Sequence, residues 1–447
     1  MTVRGELRAL ARLAAPVAAA QLGMMMLGTV DAMMLGRVSE QALAAGALGN
    51  TLVISLQIFA LGVLMALDPL VAQAWGAGDD DAIARHLQRG LALAAVLSLP
   101  LTAVMWQTDW LLRALGQPAE LIEPTARYIR IVGLSNLPFF LFIALRRTLQ
   151  ARSEVWQPMA TVAVGNLLNA GVNWVLIFGN FGLPRLEVVG SACATVMTRC
   201  AMLGLLFWLA RPLVMPSLRT FRRAVLRPRG YLPMLRLGVP AGFMVSLELW
   251  MFSASALAMG RFGTTALAAH EVALTLAAMA FMVPLGVAGA AATRVGNAIG
   301  RGDQTAARLS MRVSLGFGVA VMSISASAFA LAPELLARAF TTERGVIGLA
   351  VLLLPIAALF QLADGLQVVA AGVLRGAGDT RVPAALAFVG YWMLGLPLGL
   401  GLAFGAEIGP RGLWLGMTGG LFAAALLLTW RVQRIFAGPL HRLADPG

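Results

Sequence analysis

The chain is 447 residues long, 59% hydrophobic and only 12% charged, with a mean hydropathy of +0.80, which excludes an ordinary water-soluble domain and points to a membrane protein. All 34 basic residues are arginine, and against 21 acids they leave a net charge of +13. The arginines sit in short gaps between apolar runs and not on one soluble basic face, so nucleic acid is not expected as a partner.

In chain order, Arg4, Arg8 and Arg12 precede an apolar run from Leu13. No short apolar segment with a cleavage site stands there, so the run is read as a retained first span. Crossing the bilayer core takes about 20 apolar residues, and twelve such runs follow one another. They centre near Gly23, Phe59, Val96, Phe139, Asn169, Ala201, Ser246, Met279, Val321, Leu359, Leu394 and Leu426. Six spans fall in residues 1–215 and six in 231–447. Between them a basic linker, 216–230, carries Arg219, Arg222, Arg223, Arg227 and Arg229. A cytoplasmic N-terminus puts 23 arginines inside and nine outside, with Arg199 and Arg294 within spans. The positive-inside rule then places both termini in the cytoplasm. Cys193 and Cys200 lie seven apart within span six, where packing and not a disulfide is expected.

Residues 224 apart keep matching: Arg12 with Arg236, Pro16 with Pro240, Gly36-Arg37 with Gly260-Arg261, Gly62 with Gly286, and Gly78-Asp79 with Gly302-Asp303. Later the register slips by one or two, to Pro158 with Pro383 and Phe178-Gly179 with Phe404-Gly405. The chain therefore reads as an internal duplication. Six spans per repeat bring the second half in with the orientation of the first, so the repeats are parallel. Transporters built this way bind substrate between the halves and rock about that site.

Sixteen of the 21 acids fall in loops or at ends, which leaves Asp31, Asp68, Glu248, Glu271 and Asp364 in spans. A carboxylate at mid-bilayer costs about 2.5–3.5 kcal/mol on insertion scales, so it persists when paired, hydrated or used. A protonated or hydrogen-bonded structural acid is the alternative for each. None is mirrored: Asp31 projects onto Ser255, Glu248 onto Met24 and Asp364 onto Phe139, so the halves are expected to do different chemistry. Asp31 stands 15 residues after Pro16 and Glu248 only 8 after Pro240, about 10 Å apart in depth at 1.5 Å per residue. They are expected to be separate sites. Asp68 and Arg294 lie at similar depth near the ends of spans two and eight, and are expected either to pair as a gate or to reach separately to the interface. Glu271 follows His270 near the outer end of span eight, where a plain interfacial acid is equally expected.

Three strings resemble enzyme motifs. His270-Glu271 opens like HExxH, but position 274 is leucine, so no zinc site follows. GxGD occurs at 76–79, 300–303 and 376–379. It resembles the motif of intramembrane aspartyl proteases, but these copies fall in loops. They read instead as a helix C-terminal glycine followed by an aspartate that caps the next helix. Neither GxSxG nor GxxxxGK[ST] occurs, so no hydrolase elbow or ATP motor is expected. Around Asp31, Met24, Met25 and Met26 are candidate lining of an adaptable apolar cavity, with lipid contact or core as the alternative.

Together, PVAAAQLGMMMLGTVDAMMLG (16–36), MALDPLVAQAWGAGD (65–79), LAAHEVAL (267–274), RVGNAIGRGD (294–303) and DGLQVVAAGVLRGAGDT (364–380) resemble the multidrug and toxic compound extrusion (MATE) transporters. The resemblance is closest to their NorM-like branch and covers nearly the whole chain. It implies an all-α membrane protein of two six-helix lobes forming a V-shaped cavity. It also implies export of cationic amphipathic small molecules in exchange for Na⁺ or H⁺, by alternating access and without a cofactor. The expected setting is a bacterial-type inner membrane, with lipid as partner and a monomeric chain.

By the same resemblance Asp31 matches the first-helix acid of the N-lobe, linked to substrate or proton. Glu248, in SLELWMF, and Asp364 match the seventh- and tenth-helix acids of the C-lobe cation site, where Na⁺ would bind. A proton-coupled branch carries a second N-lobe acid in an NxxxD pattern, but here Asn169 to Asn173 read NAGVN, so coupling is expected at Glu248 and Asp364. Asp68 replaces a neutral residue of the family, and Glu271 a more usual Gln. Two carboxylates close together in low dielectric can hold a proton as well as a cation, which leaves Na⁺ and H⁺ open. Gln21, Asn169 and Asn173 are expected as polar lining or as interhelical glue. Two other readings stand beside this one. One is a lipid-linked oligosaccharide flippase, which would line its cavity with positive charge; the other is an intramembrane aspartyl protease, which would need two facing aspartates.

Overall fold

The computed structural model describes residues 2–219 and 223–443; positions 220–222 of the basic linker, Arg222 among them, and 444–447 lie outside them. Among the described residues every regular element is helical. The first repeat holds α1 (Val3–Leu35), α2 (Glu40–Gly76), α3 (Asp80–Trp106), α4, α5 (Trp156–Phe178) and α6 (Glu187–Leu209). The second holds α7 (Leu232–Gly260), α8 (Thr264–Gly300), α9 (Gln304–Leu331), α10 (Arg344–Gly376), α11 (Arg381–Gly405) and α12 (Pro410–Ala437). α4 is a pair of helices, Ala119–Gly133 and Asn136–Ala151, bent by 50° at their junction. Neither half reaches the length of a span, so twelve crossings require the pair to cross as one. The Thr102 hydroxyl donates to the Gly133 carbonyl at 3.1 Å, and the Ser135 hydroxyl to the Val132 carbonyl at 2.6 Å. The Thr102 bond gives a partner to a carbonyl at the break, while the Val132 carbonyl also accepts the Ser135 N–H at 2.9 Å.

Helix ends follow local chemistry. Ser39 caps α2 by accepting from the Ala42 N–H at 3.0 Å. Two GxGD strings behave as read: Gly78 and Gly302 take φ of 70° and 73°, and Asp79 and Asp303 cap α3 and α9 by accepting from the Ala82 and Ala306 N–H at 2.9 Å. The third differs. Gly378 has φ 84°, but Asp379 accepts from Arg431 of α12 at 2.7 Å.

The pattern of neighbours repeats. α2–α4, α3–α4, α4–α6 and α5–α6 in the first half are matched by α8–α10, α9–α10, α10–α12 and α11–α12 in the second. The chain packs as two compact units. Among the described residues, one takes in the chain up to Ala19, then Asp68–Gly78 and the stretch from Arg236 to Leu443; the other takes Ala20–Leu67 and Asp79–Leu235. The chain changes unit in α1 shortly after Pro16, whose ring removes a helical hydrogen bond. In α2 it changes just after a tightened turn, Leu64–Ala66.

In the later repeat register Asn169 and Asn173 of α5 fall on Gly395 and Gly399 of α11. α11 packs backbone to backbone on α12: a Cβ at Gly390 would lie 2.7 Å from the Ala424 Cβ and 2.9 Å from the Gly420 carbonyl, and one at Gly412 would lie 2.5 Å from the Ala403 nitrogen. Small residues permit this approach, the usual basis of helix packing in a bilayer. Over Val389–Gly395 and Gly401–Gly405 α11 widens into a π-helix, a form concentrated at functional sites.

Candidate functional site

Asp31, 8% exposed in α1, is held from two helices of its own unit. Asn173 Nδ2 of α5 donates to its Oδ1 at 2.5 Å, and the Thr195 hydroxyl of α6 donates to Oδ2 at 3.1 Å. Asn173 Nδ2 also reaches Asn169 Oδ1 at 3.1 Å. Four residues apart, the two asparagines share one face of α5, and both are buried. Expected as polar lining or as interhelical glue, the two asparagines stand at Asp31, with Asn173 bonded to it directly. Tyr128, 2% exposed on α4, lies beside Thr195 and within electrostatic reach of Asp31. Gly49 of α2 makes room for its ring, since a Cβ there would fall 2.5 Å from Tyr128 Cδ1.

One turn beyond Thr195 stands Arg199, close enough for its charge to act on Asp31 and Tyr128. It donates to Ser135 Oγ at 3.1 Å and Gln57 Oε1 at 3.4 Å. Its guanidinium lies 4.1 Å from the centre of the Phe139 ring, a cation–π geometry. Gln57 Nε2 in turn donates to Asn136 Oδ1 at 2.7 Å, just past the bend of α4. Gln21 accepts from Arg146 Nη2 at 2.6 Å. Met24 and Met25 are half-buried and Met26 is exposed.

In the other unit, Asp364 of α10 is 4% exposed and Glu248 of α7 is half-buried. They come from helices more than a hundred residues apart, yet their charges interact. To these acids the structure adds Tyr391, fully buried in the first π segment of α11. It sits beside Glu248 and within reach of Asp364. Asp364 Oδ1 and the Tyr391 hydroxyl have no hydrogen-bond partner among the described residues. Trp392 Nε1 donates to the Leu247 carbonyl at 3.0 Å, tying the π segment to α7 one residue before Glu248. Two turns further along α7, Ser255, the repeat equivalent of Asp31, is fully buried, and its hydroxyl also lacks a partner among the described residues.

Most of the remaining site residues have partners of their own. Asp68 and Arg294, expected either to meet as a gate or to reach separately to the interface, each have an ion-pair partner. Asp68 pairs with Arg375 Nε at 3.0 Å. Arg294 grips Glu6 with Nε at 2.5 Å and Nη2 at 2.6 Å, while the Ser310 hydroxyl donates to the same carboxylate at 2.6 Å. Gln73, near Asp68, donates to the Gly376 carbonyl at 3.0 Å and accepts from the Leu443 N–H at 2.8 Å. His270 is buried and accepts from Trp414 Nε1 at 3.2 Å, whereas Glu271 is exposed. No group of three or more His, Cys, Asp and Glu among the described residues is placed to hold a metal ion.

Set beside known proteins, a family model described as MatE matches residues 16–175 and again 240–400; both matches begin at a proline, Pro16 and Pro240, one per repeat. The "Probable multidrug resistance protein NorM" of Deinococcus radiodurans is 39% identical over 447 residues, covering 96% of each chain. That of Burkholderia pseudomallei is 38% identical over 442 residues, covering 95% of this chain and 92% of its own. The crystal structure of the eukaryotic MATE transporter AtDTX14 superposes with a TM-score of 0.89 at 23% identity, covering 96% of both chains. That last likeness is one of fold.

Proposed function

This chain belongs to the MATE family of membrane transporters, and we propose that it is a multidrug efflux antiporter that exports cationic amphipathic small molecules in exchange for Na⁺ or H⁺. Its efflux role is supported by NorM relatives that match along nearly their whole length. Glu248 and Asp364 are the proposed coupling-ion site, and Asp31 is the substrate- or proton-linked carboxylate. Positive-inside asymmetry supports cytoplasmic termini in an inner membrane. The chain is proposed to work there as a monomer among lipid.

One observation carries the coupling reading. Two buried acids and one half-buried acid each meet an arginine: Glu6 with Arg294, Asp68 with Arg375, and the half-buried Asp379 with Arg431. At Glu248 and Asp364 the acid meets a second acid and a phenol. Two carboxylates in a low dielectric repel unless a positive charge joins them, so the pair is suited to take up an ion and release it. Occupation from outside and discharge inside would couple ion entry to drug exit. A lipid-linked oligosaccharide flippase would line its cavity with positive charge; of the two arginines within spans, the half-buried Arg294 is paired with Glu6.

The test is reconstitution in liposomes with Na⁺ and pH gradients imposed separately and a fluorescent organic cation as probe. Uphill movement of the probe under at least one gradient is expected. Absence of gradient-dependent flux under both would defeat the antiporter reading.

A further inference from the structure

The three GxGD turns share a backbone and differ in what covers it. Gly78, Gly302 and Gly378 all have positive φ. A Cβ at Gly78 or Gly302 would meet nothing within 4 Å, whereas one at Gly378 would fall 2.7 Å from Leu443 Cδ2. Asp79 and Asp303 cap the helices that follow them. Asp379 turns to Arg431 of α12 instead, and α11 starts without a side-chain cap. The third turn has given up capping, and the segment that leaves α12 lies on it.

That segment, 438–443, is held at its root and at its tip. At the root, Arg308 of α9 donates to the Phe436 carbonyl at 2.9 Å and to the Gly438 carbonyl at 3.1 Å, giving partners to oxygens that the end of α12 leaves open. Pro439 then stops the helix from continuing. At the tip, the half-buried Leu443 sits against Gly378, and its N–H donates to Gln73 Oε1 at 2.8 Å. Gln73, 1% exposed, uses its Nε2 on the Gly376 carbonyl at 3.0 Å. One glutamine side chain thus joins α2 both to the end of α10 and to the tip of the C-terminal segment.

Gln73 stands where α2 crosses α8. Gln73 and Asn297, like Gly76 and Gly300, are 224 apart and so are repeat equivalents. A Cβ on Gly76 would run into the Asn297 carbonyl, and one on Gly300 into the Gln73 carbonyl, a reciprocal contact of the kind a two-fold axis makes. The symmetry stops at the side chains. Gln73 is bonded through both its oxygen and its nitrogen, while Asn297 Oδ1 has no partner among the described residues. α2 passes from one unit to the other between Leu67 and Asp68, just beyond the tightened turn Leu64–Ala66. Movement of the earlier part of α2 is therefore taken up at that turn or by release of Asp68–Gly78 from the crossing.

We propose that residues 438–443 form a latch: seated on the third GxGD turn, they keep Asp68–Gly78 docked through Gln73 and so confine the bending of α2 to Leu64–Ala66. The tip holds by one N–H bond and one half-buried leucine, an attachment that opens on the order of a few per cent of the time. The latch therefore releases and re-forms while Arg308 keeps its root in place. The proposal goes beyond the transport reading and rests on no choice of substrate or coupling ion.

The test uses the full-length protein in nanodiscs, with Cys193 and Cys200 replaced by serine and Asn297→Cys as a reporter at the crossing. Maleimide labelling of that cysteine and hydrogen exchange over Asp68–Gly78 are followed together. L443P removes the N–H donor, and L443A keeps it but empties the seat on Gly378. Each is expected to speed both labelling and exchange about fivefold to tenfold. H441A, a change at an exposed position of the same segment, is expected to leave both rates as they were. Rates unmoved by L443P and L443A overturn the latch, as does an H441A protein accelerated as much as they are. Should Asn297→Cys itself loosen the crossing, hydrogen exchange of the otherwise unaltered chain with and without L443P decides, and an unchanged rate over Asp68–Gly78 contradicts the proposal.

Discussion

Gly390→Ala probes how the second repeat holds its acid pair. The added Cβ would lie 2.7 Å from the Ala424 Cβ and 2.9 Å from the Gly420 carbonyl. Carbon pairs rest at about 3.5–4.0 Å, so α11 must back away from α12 by roughly 1 Å. Neither obstacle is the end of a flexible side chain. Overpacking of this kind costs about 1–3 kcal/mol, while the helical gain of alanine over glycine returns up to about 1 kcal/mol. Gly401→Ala isolates that gain, because nothing lies within 4 Å of a Cβ there. Gly390 adjoins Tyr391, so the shift also moves the phenol beside Glu248 and strains the Trp392 bond to the Leu247 carbonyl. Thermal unfolding in detergent, with and without Na⁺, measures both effects. Gly390→Ala should melt several degrees below Gly401→Ala, at roughly 2–4 °C per kcal/mol, and should lose ion-dependent stabilisation. Equal melting temperatures for the two variants would refute the packing argument.

Two further outcomes follow from buried charge. Glu6 is 1% exposed, so Arg294→Met leaves its carboxylate with little beyond the Ser310 hydroxyl. Stability should fall by about 3 kcal/mol and return largely in Glu6→Met/Arg294→Met; a double variant no more stable than the single one would contradict a pair-specific cost. The two roles of aspartate in GxGD also separate. Asparagine caps helices as well as aspartate does, so Asp303→Asn should be near neutral in thermal unfolding. Asp379→Asn loses its charge pairing with Arg431 and should cost about 1–3 kcal/mol; equal effects would show that both act as caps.

Much of the scaffold is legible because duplication leaves prolines, glycines and caps in register, and because span length is set by the bilayer. Asp31, Asn169 and Asn173 could be named from the chain, the asparagines by their four-residue spacing. Thr195 could not, since a threonine in an apolar run carries no mark and its bond spans 164 residues. Tyr391 left a weak signal, being one of only three tyrosines in the chain. The π segment that presents it left none, because a continuous apolar run looks the same at either winding. Glu6 was counted with the terminal acids, as it precedes the first apolar run. Residue counting gave Asp68 and Arg294 a common depth, but gave no sign of Arg375 and Glu6 as their ion-pair partners.

The central claim, that Glu248 and Asp364 couple ion entry to drug export, is tested most directly by Asp364→Asn in proteoliposomes. Exchange of labelled for unlabelled organic cation without a gradient is compared with uphill transport under imposed Na⁺ and pH gradients. The account predicts that exchange persists while the response to either gradient is lost. Uphill transport undiminished in a normally inserted Asp364→Asn protein would contradict it.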